Sequence, residues 1–360
     1  MNKFFKGKKV LITGHTGFKG SWLTAWLKLL GAEVFGIALD PITELSNYSV
    51  SNITKNIIDK RIDVTDRNKL IREITDISPD IIFHLAAQPL VRDSYKFPHK
   101  TWNTNLMGTI NVLESLSLIK SKCIAIFITS DKCYQNKEWL WGYRENDELG
   151  GEDPYSASKA AAENAIKSYT KSFYQNSSNI SIASARAGNV IGGGDWSKDR
   201  IVVDCVKAWS MNKSVELRNP YSTRPWQHVL EPLSGYLQLA YKMHNNKELH
   251  GESFNFGPLN HESKSVLDLV IEMSNHWKKV KWKIVKNEDK FKESNLLKLD
   301  CEKSIKTLDW STVLDFKETI KYTSSWYNKF YSNDDRKYDL TNNQIKKFMK
   351  KMDIKKFSWL

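Results

Sequence analysis

The chain has 360 residues, 41% of them hydrophobic and 26% charged, with a formal net charge of +13. That length suits two lobes or one large α/β unit with additions, and the composition is that of a soluble globular enzyme, which excludes a disordered chain. No apolar run approaches the roughly 20 residues that span a bilayer, and the lysine-containing amino terminus has no apolar leader segment, so a cytoplasmic protein is expected.

Residues 8–13 form a β-rich apolar run that predicts a buried strand. Directly after it come Gly14, Thr16, Gly17, Phe18, Lys19 and Gly20 in a GxxGxxG spacing, and then a Trp- and Leu-rich helix over 21–30. Glycines in such a turn let the backbone approach a pyrophosphate, whose charge is met by the N–H groups and dipole of a helix start. Strand, glycine turn and helix in this order point to a dinucleotide site. A second strand, 33–39, ends at Asp40, about 20 residues past Gly20, where a carboxylate bonds an adenosine ribose hydroxyl and repels a 2′-phosphate. NAD is therefore expected rather than NADP, although a cation at Lys19 could serve either.

Asp63 precedes the next helix and suits both a reach to the adenine and helix capping. Residues 80–87 form the fourth strand, whose small last residues leave room for a cofactor against the backbone; His84 reads as a site residue or as a satisfied core histidine. Residues 124–128 then deliver Thr129, Ser130, Asp131 and Lys132 at the carboxyl end of a buried strand, where open α/β sheets keep their ligands.

Asp153 is a good N-cap and Pro154 suits the first position of a helix running to about residue 175. Tyr155 and Lys159 are four apart and share its face. An ammonium near the phenol, with a cationic nicotinamide ring above, favours the phenolate over a free pKa of about 10 and makes Tyr155 a base. The spacing alone also fits two surface residues.

A further strand, 180–185, ends at Arg186. From Gly188 the composition shifts to Gly, Trp and Asp, and a smaller substrate lobe is expected. There Asn189 is placed to bond a sugar or its phosphate. Arg200 and Arg224 are placed to pair a pyrophosphate or to form surface salt bridges. Residues 1–187 are thus the nucleotide-binding domain and 188–360 mainly the substrate lobe with a basic tail, while the helix 230–243 and the strand 253–257 return to the first. Trp282, Lys283, Ile284 and Val285 suggest one small strand, and Trp310, Phe316, Ile320, Tyr327 and Phe330 look like packing. Lys346, Lys347, Lys350, Lys351, Lys355 and Lys356 are spaced like the wet side of a terminal helix, and no nucleic-acid motif accompanies them. Cys123, Cys133, Cys205 and Cys301 lie far apart without a CxxC, and the histidines show no HExxH, so reduced thiols and no metal are expected.

The set Gly14-x-x-Gly17-x-x-Gly20, His84 to Gln88, Asn105 to Thr109, Ser130 and Tyr155-x-x-x-Lys159 resembles the extended short-chain dehydrogenase/reductase family. The strings 14–22, 129–134, 138–146 and 188–196 are similar to its CDP-glucose 4,6-dehydratase branch. The likeness runs from Lys8 to at least Pro258 and is loose beyond about residue 260. It implies a Rossmann-type doubly wound parallel sheet with a smaller, interleaved substrate lobe, and NAD that is tightly bound and recycled. The implied cofactor contacts add Val64, Leu85, Ala86, Ala87, Asn105 and Thr129 to Gly14, Thr16, Gly17, Phe18, Lys19, Gly20, Asp40, Asp63, Tyr155 and Lys159; Gln88 joins Asn189, Arg200 and Arg224 at the substrate.

The implied reaction oxidises the sugar C4 hydroxyl, eliminates water across C5 and C6 and returns the hydride to C6, giving a 4-keto-6-deoxy sugar of the kind that feeds bacterial surface polysaccharide such as O-antigen. Tyr155, with Lys159 and Ser130, takes the hydroxyl proton, and Asp131 and Lys132 fit the elimination. Lys132 is then a base, or polarises a water, or stabilises the enolate. An epimerase or reductase on the same scaffold, and a non-catalytic basic binding protein, are the alternatives. The first needs no acid and base for water loss, Asp40 argues against the exchanging NADPH of the second, and the third has no reason to keep all five catalytic positions. Relatives make a homodimer or homotetramer the expected assembly.

Overall fold

A computed structural model describes residues 3–51, 57–258, 264–278, 280–285, 296–332, 339–353, 356–357 and 359–360; Lys355 lies outside them. Seven strands, Lys9–Thr13 (β1), Glu33–Ala38 (β2), Ile58–Arg61 (β3), Ile81–His84 (β4), Cys123–Ile128 (β5), Ile180–Ala187 (β6) and Ser253–Phe256 (β7), form one sheet in the order β7-β6-β5-β4-β1-β2-β3. Every neighbouring pair is parallel. Alternation along the strands explains why. Val10 and Ile12 of β1 and Ile124, Ile126 and Ile128 of β5 pack in one apolar layer, and Leu11, Ala125 and Phe127 in the other. Successive side chains of a strand leave opposite faces, so strands apolar on both faces need helices on both, which is the doubly wound Rossmann-type arrangement.

Strand order reverses between β1 and β4, and the crevice outside the carboxyl ends there is where such sheets bind ligands. The helix after β1 spans Phe18–Leu29, three residues earlier than the apolar run suggested, so Lys19 and Gly20 fall in its first turn. Strand β4 stops at His84, and Leu85, Ala86 and Ala87 leave it as a loop. Strand β7 extends the sheet beside β6, and helix Leu230–Asn245 packs on β5, so this late segment belongs to the sheet. Among the described residues three two-stranded pairs lie outside it: Val190–Ile191 with Gln227–His228, Thr223–Arg224 with Lys264–Ser265, and Val215–Leu217 with Trp282–Ile284.

The end of the chain is more than a basic tail of the substrate lobe. Helix Leu340–Lys351 turns Ile345 and Phe348 inward against Phe18–Leu29, with Phe348 edge-on to Trp26 at 5.6 Å. Trp359 is 1% exposed and donates from Nε1 to Gln238 Oε1 at 2.6 Å. Lys346, Lys347, Lys350, Lys351 and Lys356 are exposed, and Lys351 pairs with Glu318. The apolar stripe, absent from a solvated tail, docks the segment under the nucleotide-binding half. Phe348→Ala is therefore expected to cost about 3–5 kcal/mol of stability, read as a lowered Tm. A change within about 0.5 kcal/mol, the range of surface substitutions, would contradict this packing.

Candidate active site

The carboxyl ends of the central strands open on one cleft of about 670 Å³. Its first half is built by the turn after β1. Gly14 has φ +75°, and a Cβ there would come 2.8 Å from Ala86 N; a Cβ on Gly20 would overlap Gly14 O. The turn is thus closed to side chains, and the first turn of helix Phe18–Leu29 offers N–H groups that lack helical partners. Thr16 Oγ1 donates to Leu39 O at 2.9 Å and ties the turn to the end of β2, where Asp40 is exposed and accepts from Arg61 Nε at 2.8 Å. A bare glycine cradle, a helix start and a carboxylate beyond β2 fit the pyrophosphate and ribose of a dinucleotide. Gly20→Ala is expected to weaken NAD binding at least on the order of tenfold, measured as cofactor released from the denatured purified protein. Full retention would dismiss the cradle.

Val64, Leu85, Ala86 and Ala87 line the same half. Asp63 also lines it and accepts from Thr65 N and Oγ1, each at 2.9 Å, while capping of helix Arg67–Ile77 falls to Asp66. His84 is a core histidine: Nδ1 is 2.7 Å from Thr13 Oγ1 and Nε2 3.2 Å from Thr109 Oγ1, and burial, with Lys159 nearby, pushes it down to about 3. Asn105 and Gln88 do not line the cleft. Asn105 Oδ1 accepts from Gln88 N at 2.8 Å and its Nδ2 donates to Ser158 Oγ at 2.9 Å. Gln88 Nε2 donates to Thr101 Oγ1 at 2.9 Å and to Leu90 O at 3.0 Å. These bonds brace the loop after β4.

The second half starts where β5 ends. Ser130 caps the short turn Asp131–Cys133: its Oγ accepts from Lys132 N at 3.2 Å and donates to Asp131 Oδ1 at 2.9 Å. Burial pushes the Asp131 carboxyl up, against the pull of Lys132, Ser130 and Lys19. Across the cleft, Asp153 accepts from Ser156 N at 3.0 Å and starts helix Pro154–Tyr169, which carries Tyr155 and Lys159. Burial pushes Tyr155 up to about 12, with its hydrogen bond to Ser130 and the Arg200 charge opposing. Lys159 Nζ donates to Ile128 O at 3.4 Å, and burial pushes it down to about 8 against the charge of Glu163. Lys19 is likewise pushed down to about 8 by burial, and its charge is felt by Asp131, so this side chain reaches the catalytic half from the glycine turn.

Asn189, Arg200 and Arg224 line the same cleft, Arg200 at the start of helix Ile201–Ser210 and Arg224 on a two-residue strand. Sequence reasoning missed Arg92 and Arg218, which flank Asp199 at 3.4 and 3.8 Å in the same cleft. Arg92 follows the carboxyl-end loop of β4, where the strand-end rule held a signal, whereas Arg218 follows Val215–Leu217, outside the sheet, where it held none. Among the described residues no group of three or more His, Cys, Asp or Glu could hold a metal, and no helix is long and apolar enough to cross a membrane.

The model of the GDP-mannose 4,6 dehydratase family matches residues 11–323. The chain belongs to this family. It is 43% identical over 337 residues to the CDP-glucose 4,6-dehydratase of Salmonella typhimurium, covering 92% of this chain and 94% of that relative. Among solved structures, a UDP-glucose-4-epimerase from Stenotrophomonas maltophila superposes with a TM-score of 0.78 at 18% identity, covering 90% of this chain and 98% of that one. An epimerase from Methanothermobacter thermautotrophicus gives 0.76 at 22%, covering 96% of each. These two likenesses speak for the fold. In this member of the GDP-mannose 4,6 dehydratase family, the glycine cradle, the Ser130 turn and the Tyr155 helix share one cleft.

Proposed function

We propose that the chain is an NAD-dependent nucleotide-sugar 4,6-dehydratase that converts CDP-glucose to CDP-4-keto-6-deoxyglucose and water. The observation that carries this reading is the turn Ser130-Asp131-Lys132, which packs against the Tyr155 helix in one cleft and suits the acid and base that water loss needs. NAD, when bound at the glycine turn, would supply the acceptor for the C4 hydride and its donor to C6. Tyr155 takes the proton of the C4 hydroxyl, helped by Ser130 and by the positive charge of Lys159. With C4 a ketone, the C5 proton is acidic; Lys132 serves its removal, as base, through a polarised water or by stabilising the enolate, and Asp131, whose carboxyl burial pushes up, gives its proton to the departing C6 hydroxyl. Carbon–oxygen cleavage at C6 then releases one water, and a proton returns to C5.

Because the hydride stays with the enzyme, the cofactor is recycled and tightly held. Arg200, Arg224, Arg92 and Arg218 line the cleft and suit the pairing of a diphosphate. The protein works in the cytoplasm. It pairs into a homodimer or homotetramer through the exposed Tyr95, Trp102, Met107 and Phe173, on helices that pack beside one another, and Phe97 between two of them. Incubation with CDP-, dTDP-, UDP- and GDP-glucose, read by mass spectrometry, tests the reading: one water lost from the CDP sugar is expected. An isomer of unchanged mass would make the chain an epimerase and leave Asp131 and Lys132 unexplained.

A further inference from the structure

Behind the cleft, helix Pro154–Tyr169 meets the carboxyl ends of β5 and β6 at an ion pair between Glu163 and Arg186, with side chains 2% and 3% exposed. Glu163 lies one helical turn beyond Lys159. Its carboxylate accepts from Arg186 Nη2 at 2.7 Å, from Ser184 Oγ at 2.9 Å and from Thr129 Oγ1. Burial raises the Glu163 carboxyl, but Arg186 and the hydroxyl donors together hold it below the usual carboxylate range. A buried charge persists when it is both paired and hydrogen-bonded, and this one is.

The pair grips the catalytic stretch at both ends. Thr129, held by Glu163, immediately precedes Ser130. On the far side Arg186 Nη1 donates to Tyr134 Oη at 2.7 Å and to Glu145 O at 2.9 Å, and its guanidinium lies 4.9 Å from the Tyr134 ring centroid. Tyr134 immediately follows the turn Asp131–Cys133 and donates to Asn255 Oδ1 at 2.8 Å on β7. One ion pair thus fixes the residues before and after Ser130-Asp131-Lys132.

We propose that Glu163 is a positioning residue for the oxidation step, holding Thr129 and setting the charge of Lys159 through the carboxylate that Arg186 sustains. The groups facing Lys159 come from four elements. Its own helix brings Tyr155 and Glu163, the turn after β5 brings Cys133, β4 brings His84, and helix Phe18–Leu29 brings Lys19. Cys133 is held protonated and His84 neutral by burial, and Lys19 is a cation, so Glu163 carries the negative charge of the set. Removing that charge makes the ammonium easier to deprotonate. Oxidation that needs an ammonium at Lys159 then fails at lower pH.

The inference rests on the proposed function for oxidation at C4 and not for water loss. Full-length protein with bound NAD is mixed with CDP-glucose, and the rate of appearance of reduced nicotinamide is recorded against pH. In Glu163→Gln the alkaline limb is expected to move down by about one pH unit, a tenfold change in Lys159 protonation, while Glu163→Asp keeps it near wild type. Because Glu163→Gln leaves Arg186 buried without its partner, Glu163→Gln with Arg186→Met is measured as well, and the same downward shift is expected. A rate lowered equally at every pH in the double variant overturns the proposal, and so does a double variant that fails to fold, since the pair is then a structural brace. Wild-type protein that reduces its NAD without losing water would refute the dehydratase reading and leave this test intact.

Discussion

Tyr155→Phe is expected to slow the oxidation of CDP-glucose by a factor on the order of 10²–10⁴, the range of a lost general base. The ring that fills the buried wall stays, so packing is kept and the hydroxyl alone is removed. Ser130 retains a partner, since its Oγ donates to Asp131 Oδ1 at 2.9 Å. Without substrate, burial holds the phenol at about 12, against the Ser130 hydrogen bond and the Arg200 charge, so the phenolate depends on further positive charge. Lys159 and a cationic nicotinamide supply it. Single-turnover absorbance of reduced nicotinamide reads the step directly. A rate near wild type would remove Tyr155 from its role.

Lys132→Ala is expected to separate the two halves of the reaction. Reduction of bound NAD on addition of CDP-glucose should continue, while water loss should fall by about 10²–10⁴. The turn should survive the change, because Ser130 caps it through the backbone N–H of Lys132, at 3.2 Å, and not through its side chain. Asp131 loses a neighbouring positive charge that holds its carboxyl down, so it becomes easier to protonate and remains an acid. Rapid-quench mass spectrometry alongside absorbance distinguishes the steps. Loss of both together would show that Lys132 serves oxidation or binding instead.

What could be read in advance from the residues follows the range over which each feature is determined. The glycine turn, the cap Asp153 with Pro154, and the residues at the end of β5 are fixed by neighbours a few positions away, and the sequence pattern carried them. Strand β3, Ile-Asp-Lys-Arg, has little apolar signal because it is a short edge strand with mostly exposed residues, and no bounds were read for it. The Gln88 amide is taken by Thr101 and the Leu90 backbone, and the Asn105 amide by Ser158 and the Gln88 backbone, a network that no local pattern shows. The periodicity of the last helix showed a wet and a dry face, but not that the dry face lies on Trp26. The Arg92–Asp199–Arg218 cluster joins residues far apart in the chain and needed the tertiary structure to be seen.

The central claim is that one enzyme oxidises C4, removes water and returns the same hydride to C6. Incubation with CDP-glucose carrying deuterium at C4, followed by mass spectrometry and NMR of the product, measures it most directly. The account predicts loss of one unlabelled water with the deuterium retained and found at C6. Deuterium still at C4 in a product of unchanged mass, or lost to released cofactor, would contradict it.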